Sequence, residues 1–112
     1  MAGRAIFSAG WIYQQGLQGS SSTITVPDNH LYIVKQLTMY ANPFLAPARG
    51  FFRDLATGAT LFSAGTQTGT PGWFGFYGAL VFGAGSQFRW EADVVGTDGI
   101  DVYAGGYDLV QS

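Results

Sequence analysis

The sequence predicts an all-β protein, an antiparallel β-sandwich of jelly-roll type. Two observations carry this expectation, and a third is weaker. Apolar and polar residues alternate with a period of two in several segments, and no window repeats apolar residues at the helical spacing i, i+3, i+4, i+7. Turn-forming residues interrupt the chain at intervals that suit short strands, the punctuation of a sandwich or barrel. "FSAG" occurs at 7–10 and again at 62–65, and the same offset sets Val26 against Val81 and Ile33 against Phe88. Two related Greek keys would leave such a trace, but with residue types this common chance accounts for it better.

Taken in order, Ala5–Ser8 and Trp11–Gln14 read as short strands, followed by the Gly/Ser-rich stretch "GLQGSSS". A flexible run of that composition separates residues 1–18, expected to be an arm, from a sandwich domain over 19–112. Trp11, Ile12 and Tyr13 give the arm a compact apolar anchor for a neighbouring subunit. "STITV" (22–26) then alternates Ile24 and Val26, assigned to the core, against Thr23 and Thr25.

"PDNH" (27–30) is a tight turn, because Asp and Asn tolerate the backbone angles that turns require. It leads into "LYIVKQLTMYAN" (31–42), with Leu31, Ile33, Leu37 and Met39 on one side and Tyr32, Val34 and Tyr40 on the other. Ile33, Leu37 and Met39 are expected in the core. "NPFLAPARG" (42–50) holds two prolines, which cannot donate to a central ladder, and is expected to be a longer connection. Strands at Gly50–Leu55 and Thr60–Ser63 flank "ATGAT", a hairpin tip.

Trp73–Tyr77 and Ala79–Phe82 follow as short strands. The cleanest alternation is "QFRWEADV" (87–94), which sets Phe88, Trp90, Ala92 and Val94 against Gln87, Arg89, Glu91 and Asp93. "GTDG" (96–99) is a turn, and "IDVYA" (100–104) places Ile100 and Val102 on its apolar side with Ala104. Phe88, Trp90, Ile100 and Val102 complete the expected core.

Composition narrows the function. Charged residues make up 11% of the 112, against about 25% in an ordinary globular domain. Leu55–Phe88 and Ala5–Pro27 contain none. The five basic residues, Arg4, Lys35, Arg49, Arg53 and Arg89, are scattered, so no clustered footprint for phosphates exists and nucleic-acid binding is not expected. Without cysteine there is no disulfide framework and no thiolate metal site. The start lacks a sustained apolar stretch, so no secretory leader is expected, and the glycine-interrupted run Trp73–Gly85 is too short for a membrane span.

Catalytic groups are scarce. The one histidine, His30, sits in the "PDNH" turn and reads as a solvated turn residue. Neither a "GxSxG" elbow nor a phosphate-cradling loop is present. Glu91, Asp93, Asp98, Asp101 and Asp108 lack the regular spacing of a calcium loop and read as outward strand and turn residues. No enzyme, cofactor or metal site is expected.

The aromatics point to contact surfaces instead. "PGWFGFYGALVFGAGSQF" (71–88) threads six aromatic residues between five glycines. Nine Phe, six Tyr and three Trp are more than one small sandwich core holds. Trp73, Phe74, Phe76 and Tyr77 are therefore assigned, with Trp11, Ile12 and Tyr13, to a subunit interface, where aromatic burial is worth most. A sugar-stacking platform of Trp and Tyr is the alternative.

The segments "TVPDNHLYIVKQLTMYAN", "WFGFYGALVFGAGSQFRWEA" and the closing "VYAGGYDL" resemble, in this order, the minor tail proteins of tailed bacteriophages that infect actinobacteria. The similarity spans about residues 20–110. It implies a virion-assembled β-sandwich without a known active site. The protein is expected to act by assembling, as a homotrimer with other virion proteins, through its apolar aromatic surfaces. Capsid decoration is the alternative within that class, and a carbohydrate-binding host-adhesion module the alternative outside it.

Overall fold

The computed structural model describes residues 4–17, 21–41, 48–67, 72–93 and 100–111. They form eight strands: β1 (Arg4–Leu17), β2 (Ser21–Thr25), β3 (His30–Ala41), β4 (Ala48–Asp54), β5 (Thr60–Thr66), β6 (Gly72–Phe82), β7 (Gln87–Asp93) and β8 (Ile100–Gln111). Two four-stranded antiparallel sheets pack face to face. Sheet A has the order β1-β8-β3-β6 and sheet B the order β2-β7-β4-β5, the strand order of a jelly roll.

Turn chemistry sets the connections. Asn29 takes a left-handed conformation (φ 64°), and the His30 amide donates to the Pro27 carbonyl at 3.3 Å. In the β4–β5 hairpin the Asp54 carboxylate accepts from the Ala56 amide (3.1 Å) and the Thr57 hydroxyl (3.2 Å), and Gly58 supplies the positive φ that closes the turn. "GTDG" and residues 42–47 of the proline-rich stretch lie outside the described residues. Ala48–Gly50, expected in that connection, belong to β4.

The core holds Val26, Leu37, Met39, Phe52, Phe82, Phe88, Trp90, Ile100 and Val102, and Ile24 is half-buried against it. Phe88 is its hub, with ring centroids 4.6 Å from Phe82 and 5.3 Å from Phe52. Trp90 meets Phe52 and Phe62 edge-on, each at 5.8 Å. Offset and edge-on contacts of this kind add to the value of area burial.

Two β-bulges correct the sequence reading. The arm expected over residues 1–18 is, from Arg4 to Leu17, a strand of sheet A paired to β8. A register shift between Gly10 and Ile12 makes Trp11 the extra residue. Trp11 is half-buried and stacks on Tyr32 at 4.5 Å, and Ile12, expected at a subunit contact, is a core residue with 1% exposure. Two bits of alternation that looked like separate short strands are therefore one strand, integral to the sandwich.

The second shift lies between Val34 and Gln36, where β3 carries Lys35 as an extra residue against β8. It reverses the facing of the strand, since side-chain direction has a period of two. Tyr32 and Val34 point into the core before the bulge, and Leu37, Met39 and Ala41 after it. Ile33, expected in the core, lies on the outer face instead, paired with Tyr107 and Val81.

Tyr32 carries a testable consequence. Burial raises its pKa above the usual tyrosine range, the Asp108 carboxylate adds to this, and a hydrogen bond with Trp11 partly offsets it. A raised folded-state pKa gives a contribution present below the unfolded value of about 10 and lost as pH rises through the folded value. Urea unfolding should show the advantage of wild type over Tyr32→Phe shrinking above that pH. A constant difference between the two proteins across the range would contradict the assignment.

Candidate functional site

The two outer faces of the sandwich differ in chemistry. On sheet B, Arg53 Nε donates to Glu91 Oε2 at 3.0 Å, and Arg89 Nε donates to Glu91 Oε1 at 2.5 Å. The Arg53 guanidinium also lies 5.2 Å from the Phe51 ring centre. Among the described residues, the seven exposed large hydrophobic side chains all belong to strands of sheet A. Ile6, Tyr13, Trp73, Tyr77, Val81 and Tyr107 lie on its outer face, and Phe7, which shares a row with Asp108 and Tyr32, lies on the inner side of the edge strand. Exposed apolar side chains gathered on one face are unusual on a monomer.

Strand register resolves the outer face of sheet A into two ends, because directly paired residues share a face. At one end Ile6, Leu109 and Leu31 form one row, and Ser8, Tyr107, Ile33 and Val81 the next. This end is aliphatic, apart from the Ser8 hydroxyl and the Tyr107 ring. At the other end Tyr13, Tyr103, Thr38 and Gly75 share a row, and Asp101, Tyr40 and Trp73 share the next. Tyr40 and Trp73 touch, with ring centres 4.9 Å apart.

Glycine shapes the boundary between the ends. The Tyr103 ring lies along the sheet over Gly105 and Gly10, where a Cβ would collide with it or press on it. Tyr77 covers Gly75 in the same way. Thus glycines alternate with aromatic residues in this sequence because missing side chains leave slots for rings laid flat on the sheet. Gly106 has a different reason: its Cβ would run into the backbone of Ile33 and Lys35 at the bulge.

The residues expected at a subunit contact therefore divide. Tyr13, Trp73 and Tyr77 are exposed on this face at 74%, 72% and 73%. Phe74 and Phe76 are corrections, as is Ile12. They point inward and pack against the core, because β6 keeps strict alternation from Gly72 to Phe82. Tyr103 and Tyr107 were not singled out. Their signal was present in "VYAGGYDL", but recognising it required the strand to run on through Gly105–Gly106, as β8 does.

His30 is also placed differently from its expected solvated turn. It opens β3, half-buried, with Nδ1 2.8 Å from Asp108 Oδ1 and its ring edge-on to Tyr32 at 6.1 Å. The pair spans 78 positions of sequence and ties β3 to β8 at the end of the sheet. Among the described residues no group of three or more His, Cys, Asp and Glu side chains is arranged to hold a metal ion. Among the described residues no helix is long and apolar enough to cross a membrane.

Eight strands in this order, with one apolar and one charged face, define a jelly-roll sandwich. No family model matches the chain, and no curated protein matches it. Among solved structures, it is similar to a chain in the cryo-EM structure of the virus-like particle of the extra small virus of the giant freshwater prawn Macrobrachium rosenbergii. The TM-score is 0.52 at 14% identity, covering 96% of this chain and 78% of that one. It is also similar to part of dimeric latent PorU from Porphyromonas gingivalis, with a TM-score of 0.52 at 9% identity, covering 99% of this chain and 13% of that one. At these identities the likeness establishes the fold.

Proposed function

We propose that this protein is a structural component of a virion, a minor tail protein of a bacteriophage, that acts by assembling through the outer face of sheet A. The observation that carries the reading is that, among the described residues, six of the seven exposed large hydrophobic side chains lie on the outer face of that one sheet and none lies on sheet B. Docking removes Ile6, Val81 and Tyr107 from water, at about 25 cal/mol per Å² of apolar surface. The charged face of sheet B stays solvated. The fold shared with the extra small virus particle and the sequence resemblance to phage minor tail proteins support a place in a virion.

The assembly is a homotrimer that contacts other virion proteins, and it acts by surface complementarity, without catalysis, cofactor or metal. Light scattering of the purified chain should give three times the 11.9 kDa subunit mass at micromolar concentration. A single-subunit mass would refute self-assembly. Antibody labelling of particles separates the two virion locations: label on the tail is expected, and label over the shell would replace this reading with capsid decoration.

A further inference from the structure

We infer that the polar-aromatic end of the sheet A face is a binding groove for a neutral oligosaccharide. Two hollows lie end to end there. One, of about 370 Å³, is lined by Tyr13, Tyr103, Trp73, Gln36, Thr38 and Asp101. The next, of about 430 Å³, lies between Tyr103 and Tyr107, over Gly10 and Gly105, with Ser8, Lys35 and Gln36 on its rim. They share Tyr103 and Gln36 in their linings, so they adjoin on either side of the Tyr103 ring.

The chemistry of the lining selects the ligand. Aromatic rings offer flat apolar faces that match the C–H faces of pyranose rings, while amides and hydroxyls between them match sugar hydroxyls. Tyr13 and Trp73 stand three-quarters exposed at the first hollow, and Gln36 and Thr38 lie between their strands. The charged side chains lining the two hollows are Asp101 in the first and Lys35 in the second, one of each sign, so the groove as a whole suits an uncharged polyol. A larger hollow of about 550 Å³ beside Arg49 on sheet B lacks this pattern. Its one lining ring, Phe51, is half-buried under the Arg53 guanidinium.

The first hollow stands apart from the aliphatic end and the second meets it at Ser8 and Tyr107; Ile6, Ile33 and Val81 line neither hollow, so sugar binding and self-assembly can be tested by separate substitutions. The experiment is titration of the full chain with maltose, cellobiose and the longer members of each series. Intrinsic tryptophan fluorescence and amide chemical shifts are followed in wild type, Trp73→Ala, Tyr13→Ala, the double variant and Val81→Glu. Because Trp73 and Tyr13 are exposed, their removal leaves the core intact, which circular dichroism checks.

At least one series should bind saturably, with affinity rising with chain length along the groove. Trp73→Ala and Tyr13→Ala should each weaken it roughly tenfold, and Val81→Glu should leave it unchanged whatever happens to the assembly. Absence of binding by every sugar, or binding that survives the double variant, would overturn the assignment.

Discussion

Trp90→Ala should destabilise the protein by about 3–5 kcal/mol, the range for removing a large aromatic side chain from a packed core. Trp90 is wholly buried, held edge-on by Phe52 and Phe62, with its indole N–H directed at the Tyr103 carbonyl at 3.4 Å. Its neighbour Phe52 is held in the Phe52–Phe88–Phe82 ring cluster and cannot move into the space without disrupting it. Domains of this size have stabilities of about 5–15 kcal/mol, so the loss is a large share of the total. Thermal unfolding should fall by more than about 10 °C. A shift of only a degree or two would show that the two sheets do not pack around this residue as described.

Gly106→Ala should be nearly as damaging, although it adds only a methyl group. The new Cβ would meet the carbonyl of Ile33 and the amide of Lys35. These are backbone atoms in the middle of a paired strand, so neither can turn away as a flexible side chain would. Relief requires β3 and β8 to separate at the bulge, and overpacking of this kind costs about 1–3 kcal/mol or more. Gly83→Ala is the control: a Cβ there has nothing within 4 Å, so a change below about 0.5 kcal/mol is expected. Equal effects of the two substitutions would remove the steric explanation.

The alternation in 87–94 made β7 legible, since Phe88 and Trp90 face the core without a bulge to disturb the count. The turns at "PDNH" and "ATGAT" were legible for the same local reason, as Asn29 and Gly58 supply the positive φ each requires. What the sequence concealed was non-local. Whether Ile33 or Val34 faces inward depends on a register shift that exists only once β3 meets β8 and β6. The same applies to Ile12, whose burial depends on the bulge at Trp11.

The outer face was half legible. Aromatic excess and missing charge signalled an exposed apolar face, and Trp73 and Tyr77 are exposed on the outer face of sheet A. Phe74 and Phe76 alternate with them and point the other way, a distinction that period two allows but composition hides. The His30–Asp108 pair could not be read at all, because a hydrogen bond across 78 positions leaves no spacing to recognise.

Sedimentation velocity on three proteins tests the central claim, that the apolar face of sheet A is the assembly surface. They are the wild type, Val81→Glu on that face, and Thr23→Glu on the exposed outer face of sheet B. Both substitutions add one carboxylate at an exposed strand position, so they differ only in the face they mark. The wild type and Thr23→Glu should sediment as the same oligomer and Val81→Glu as the 11.9 kDa subunit. Dissociation by Thr23→Glu with Val81→Glu still assembled would place the interface on the opposite face and contradict the account.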